Sequence, residues 1–97
     1  MRDLDDIRRE IDGIDGQLAR LVKRRLELAC DIAAAKSAIG KPVSDPAREE
    51  AVLARVSAIM GEDAVAEARA VFSTLFALSR ERQKKLIEAN AVKGART

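Results

Sequence analysis

At 97 residues the chain has room for one domain and not two. It holds no histidine and a single cysteine, Cys30, which excludes serine–histidine and cysteine–histidine catalysis, an internal disulfide and a zinc-binding cluster. A net charge of +2 with 35% charged residues argues against a nucleic-acid platform, and 47% hydrophobic residues with only 2% aromatics points to helices built from Ala, Leu, Ile and Val.

The opening stretch, "MRDLDDIRRE", is too charged for a secretory leader, and no apolar run reaches the length of a membrane span. A cytoplasmic protein with no membrane association is therefore expected. Residues 3 to 39 carry one long helical pattern. Leu4, Ile11, Leu18, Arg25, Ile32 and Ile39 form one seven-residue column, and Ile7, Ile14, Leu21, Leu28 and Ala35 form the other. Together they make an a/d seam sustained over about five heptads. Gly13 and Gly16 each cost roughly 1 kcal/mol against Ala inside a helix, but the seam stays in register on both sides of them.

In "GKPVSDP", Gly40 can end the first helix and Pro42 cannot continue it. Asp45 then reads as a side-chain cap and Pro46 as a first helical residue. The second helix is expected from Pro46 to Met60, with Val52, Leu53, Val56, Ile59 and Met60 on one face. A third is expected from about Asp63 to Asn90, with Val65, Ala68, Phe72, Leu75, Phe76 and Leu86 inside. Residues 1–90 make the single domain, and 91–97 are expected to form a disordered tail. A first helix of this size is about 55 Å long, far beyond the diameter of a compact domain of this length. The second helix cannot cover its seam. A second copy of the chain is the simplest cover, so the expected fold is all-α, three helices per chain in an intertwined homodimer.

Several polar residues stand where this pattern calls for apolar ones. Arg25 occupies a seam position, and Lys36 flanks the same seam roughly 16 Å further along the axis, close enough for both to lean on one small molecule. Arg48 lies in the first turn of the second helix, where a cation opposes the macrodipole, and Arg48 and Glu49 sit one turn ahead of Val52 and Leu53. Ser79 and Gln83 continue the stripe of Phe72 and Phe76. Buried polar groups need partners, and a polar ligand would supply them. Arg25, Lys36, Arg48, Glu49, Ser79 and Gln83 thus face one interior in which cations outnumber anions. A small carboxylate is the implied ligand, since Arg forks bind carboxylates bidentately, and the lone acid suits a hydroxyl donor on the same ligand. Arg8 lies roughly 25 Å from Arg25 along the helix and cannot share its site within one chain. In an antiparallel dimer, Arg8 of the partner subunit can.

The runs "IRREIDGIDGQLARLVKRRLELACDIAAAK", "KPVSDPAREEAVL" and "FSTLFALSRERQ" resemble the all-helical class of chorismate mutases over nearly the whole chain, about residues 4 to 86. The link "MGEDAVAEA" is shorter than in some relatives. The resemblance implies an intertwined dimer with two active sites that share residues across the interface, and no cofactor or metal. Arg25 and Arg8 of the partner subunit would clamp the two carboxylates of chorismate. Lys36 would hydrogen-bond the ether oxygen of the breaking bond and touch a carboxylate, with Gln83 as second donor to that oxygen. Arg48 would add positive field beside a carboxylate and Ser79 would hydrogen-bond the ring-side carboxylate. Glu49 through its side chain, and Asp45 through its backbone, would hold the ring hydroxyl.

The implied reaction is the intramolecular Claisen rearrangement of chorismate to prephenate, on the route to phenylalanine and tyrosine. It needs no nucleophile, general base or metal, which a chain without histidine can accommodate. Two other enzymes on the same fold stay open. One eliminates pyruvate from isochorismate, which the intact Arg48–Glu49 pair disfavours. The other is a mutase acting on amino-deoxychorismate. Outside enzymes, the alternative is a helical dimerisation module whose polar seam residues fix register.

Overall fold

A computed structural model describes residues 1–95. Three helices account for most of them: α1 (Leu4–Ala38), α2 (Pro46–Met60) and α3 (Val65–Ala95). Asp3 starts α1 by accepting the Asp5 N–H at 2.8 Å, with Asp5 and Asp6 in the first turn complementing the helix dipole. Pro46 opens α2 behind its cap, Asp45. Gly61, at φ 98°, ends α2, and one 3₁₀ turn (Glu62–Ala64) leads straight into α3. The link is short because this single turn replaces a loop. Among the described residues there is no strand, and no helix is long and apolar enough to cross a membrane.

The third helix runs past the expected end at Asn90 to Ala95, because nothing in "ANAVKGA" caps or breaks it until that point. The expected tail therefore begins as helix, and residues 96 and 97 lie outside the described residues.

α3 packs against both α1 and α2, which do not pack on each other. Its joint with α2 forms the main core, in which Val52, Leu53 and Val56 meet Ala68, Phe76 and the half-buried Phe72. The Phe72 and Phe76 rings meet edge to face at 6.3 Å, a favoured aromatic geometry. Ile59 and Met60, at the far end of the α2 face, stay exposed. On α1 the residues buried by α3 are Ala29 and Ala33, one turn apart and 1% exposed. Small side chains there let the two helices approach closely.

The heptad seam is thus not the face that the chain buries against itself. Leu4, Ile11, Ile14, Leu18 and Leu21 are all more than 45% exposed. The chain measures 65 × 27 × 15 Å, with a radius of gyration of 17.6 Å against about 12.5 Å for a compact domain of this length. It exposes 7472 Å², roughly 2,000 Å² more than a compact monomer of this size. The protruding half of α1 carries much of the uncovered apolar surface.

Candidate active site

The end of α1 turns the chain back on itself. Gly40 adopts φ 73°, a left-handed conformation that costs an L side chain roughly 1–2 kcal/mol. Its N–H meets the Ser37 carbonyl at 3.3 Å while the Lys41 N–H meets the Lys36 carbonyl at 2.9 Å, the paired bonds of a glycine helix end. The linker then crosses the last turn of α1, where the Lys36 ammonium donates to the Val43 carbonyl at 2.9 Å. One of three N–H bonds anchors the linker, leaving two for a ligand.

The linker ends at the cap of α2. The Asp45 carboxylate accepts the Arg48 N–H at 3.2 Å, and its carbonyl accepts the Glu49 N–H at 3.1 Å. The Asp45 side chain is therefore committed to the helix. The same cap fixes the first turn that carries Arg48 and Glu49.

Between these segments and α3 lies a half-open cavity of about 450 Å³. Arg25, Lys36, Asp45, Arg48, Glu49, Ser79 and Gln83, all expected at a site, line it together. Leu28, Ile32, Val52 and Phe76 supply its apolar wall. Arg8, also expected to contribute, lies exposed near the start of α1 and lines no part of it.

Three details organise the cavity. The Arg25 guanidinium lies over the Phe76 ring at 5.5 Å, a cation–π contact that orients its fork. Gln83 is 4% exposed, so the polar end of the α3 stripe is buried rather than solvated. Its Nε2 donates to the Ser79 hydroxyl at 3.0 Å, and its Oε1 is buried without a partner. An unmet buried acceptor costs about 1–3 kcal/mol, a cost that a ligand could remove. Finally, Arg80 Nη1 donates to Glu49 Oε2, joining α2 to α3.

Arg80 was not among the expected site residues. Its only sequence signal is its place one residue after Ser79 and one turn after Phe76, and a helical Arg there reads equally as a solvated surface cation. With Arg80 included, the lining carries four cations and two carboxylates, Asp45 and Glu49. The net positive cavity with one apolar wall suits a small organic dianion. Among the described residues, no group of three or more Cys, Asp or Glu side chains could hold a metal ion.

Comparison with known proteins matches residues 7–84 to the family model for chorismate mutase type II. The chain belongs to the chorismate mutase type II family. It is also 33% identical over 87 residues to a chorismate mutase of Methanocaldococcus jannaschii, covering 88% of each chain. No solved structure matches it significantly. The matched span takes in every residue that lines the cavity, from Arg25 on α1 to Gln83 on α3.

Proposed function

We propose that the protein catalyses the rearrangement of chorismate to prephenate as an intertwined homodimer in the cytoplasm. The observation that carries this reading is the convergence, in one cavity, of four cations and the buried amide of Gln83 with its unpartnered oxygen. In this reaction the ether C–O bond breaks as a C–C bond forms in the same molecule, so no group need be taken up or released. The protein then has two tasks: to hold the compact conformer in which the reacting carbons are close, and to stabilise charge on the ether oxygen as the bond breaks.

Arg25, held over the Phe76 ring, takes one carboxylate, with Arg48 adding positive field nearby. The two free N–H bonds of Lys36 reach the ether oxygen and a carboxylate. Exchanging the two sterically equivalent ends of the Gln83 amide lets the Ser79 hydroxyl donate to Oε1 and turns Nε2 into the second donor to the ether oxygen. A Ser79 that donates to Oε1 still has lone pairs but no second proton, so its contact with the ring-side carboxylate and its bond to Gln83 are alternatives. Glu49 accepts the ring hydroxyl, beside the Asp45 carbonyl.

The dimer reading rests on surface. The roughly 2,000 Å² by which each chain exceeds a compact monomer matches what one side of an obligate helical interface buries. The uncovered seam runs along the same half of α1 that carries Arg8, and an apolar groove on α1 lined by Leu18, Val22 and Leu26 continues it. An antiparallel partner seated there brings its own Arg8 toward Arg25, completing the clamp on the second carboxylate. The Arg8 side chain makes no hydrogen bond or ion pair among the described residues.

The test is to supply the purified protein separately with chorismate, isochorismate and amino-deoxychorismate and to identify the products. Prephenate from chorismate, abolished in Glu49→Ala, supports the reading. Pyruvate release from isochorismate as the dominant activity, or no turnover of any of the three, overturns it.

A further inference from the structure

We infer that Arg80 sets the substrate choice of the cavity by pairing with Glu49, so that the acceptor of the ring substituent is a neutral ion pair rather than a free carboxylate. The inference rests on the proposed role of Glu49 toward a ring hydroxyl and extends it to a residue with no assigned part.

Glu49 has an awkward position. It stands in the first turn of α2 beside Arg48, in a cavity whose other cations, Arg25 and Lys36, are placed to receive a ligand's carboxylates. A free glutamate there could swing onto any of the three and occupy the fork meant for the ligand. Arg80 prevents this from across the cleft. Its Nη1 holds Glu49 Oε2, and both side chains are only about one-third exposed, at 34% and 29%. The two residues are 31 apart in sequence and their pair bridges α2 and α3, so α3 aims the carboxylate and α2 alone does not.

The bond engages one carboxylate oxygen. Glu49 Oε1 makes no hydrogen bond among the described residues and is left to accept a proton from the ligand. Its electrostatic character is also changed. A lone carboxylate attracts an ammonium far more than a hydroxyl, because the ammonium carries a full charge. A carboxylate already neutralised by Arg80 still accepts a hydrogen bond from a hydroxyl, but it places an ammonium beside a guanidinium. Arg80 thus favours a hydroxyl-bearing ring over its amino analogue by penalising the cation, a repulsive element of the kind that specificity requires.

The experiment measures kcat and KM for chorismate and for amino-deoxychorismate with the wild type, Arg80→Met, Arg80→Lys, Glu49→Gln and the double variant Glu49→Gln/Arg80→Met. In Arg80→Met the efficiency on chorismate should fall about tenfold, mainly through KM, as Glu49 competes for the substrate clamps. The ratio of amino to hydroxyl efficiency should rise at least about fivefold. Arg80→Lys, which keeps the charge, should restore most of the hydroxyl preference. Once Glu49 is neutral, removing Arg80 should change little further, so the double variant should resemble Glu49→Gln. Circular dichroism on each variant separates these effects from misfolding, and Arg80→Lys and Glu49→Gln remain informative even where Arg80→Met does not fold. An active wild type whose Arg80→Met and Arg80→Lys variants keep its substrate ratio overturns the role of Arg80 alone, as do additive losses in the double variant. A wild type that turns over neither substrate overturns the mutase reading as well.

Discussion

Replacing Lys36 with Met separates catalysis from scaffolding, because the side chain does two jobs of different size. Its ammonium donates to the Val43 carbonyl at 2.9 Å, and this bond pins the linker over the end of α1. A hydrogen bond from a charged donor is worth about 1.5–3 kcal/mol when shielded. Lys36 is only half-buried, so solvent screening brings the expected loss toward about 1 kcal/mol. Met preserves the aliphatic stem, so little packing is lost with the charge. A loss of that size lowers the melting temperature by about 4–8 °C in a domain of this length.

The catalytic loss should be much larger. A fixed donor to an oxygen that gains charge in the transition state is typically worth about 3–4 kcal/mol, or ~10²–10³ in rate. Lys36→Met is therefore expected to lower kcat at least about a hundredfold while the protein stays folded. Chorismate consumption followed by absorbance, with a melting curve on the same preparation, reads both numbers. Near-normal kcat refutes the assignment of Lys36 to the ether oxygen. A rate loss accompanied by unfolding at the assay temperature would instead make Lys36 a scaffold residue.

Gly40→Ala should destabilise the protein by about 1–2 kcal/mol, because φ 73° is unfavourable for any residue with a Cβ. Since that turn delivers Val43 to Lys36, KM should rise as well, and a melting curve unchanged from wild type would contradict the turn's role. Arg8→Ala and Arg25→Ala should each fold and each lose activity as pure proteins. Unfolding and refolding an equal mixture should restore about a quarter of wild-type turnover, since half the dimers are mixed and each then holds one intact site. No recovery, with mixed dimers demonstrated by mass, would show that Arg8 does not act across the interface.

Some of the candidate site was readable before any fold was known. The cluster of Arg25, Lys36, Arg48, Glu49, Ser79 and Gln83 was visible because Arg25, Ser79 and Gln83 break an apolar period, Lys36 flanks the same seam, and Arg48 and Glu49 stand one turn ahead of an apolar face, all signals carried by the sequence itself. Arg80 breaks no such period. It looks like any surface cation until α2 and α3 are packed and Glu49 is found opposite it. The contact of Arg25 with Phe76 was hidden in the same way, since the two residues lie on different helices, and the unmet oxygen of Gln83 shows only once packing buries it.

The sequence by itself determined the three helices and the ends of α1 and α2. The Asp3 and Asp45 caps, Pro46 and Gly40 act within a few residues, and local backbone chemistry does not wait for a tertiary fold. It also determined that one helix is too long for its own chain to cover. Which face of that helix the chain would bury was decided only by packing. The heptad columns pointed to the seam, whereas α3 settled on Ala29 and Ala33, where small side chains permit close approach, and left the larger residues outward. Periodicity reports how much apolar surface needs covering, and side-chain size and helix length decide which partner covers which part.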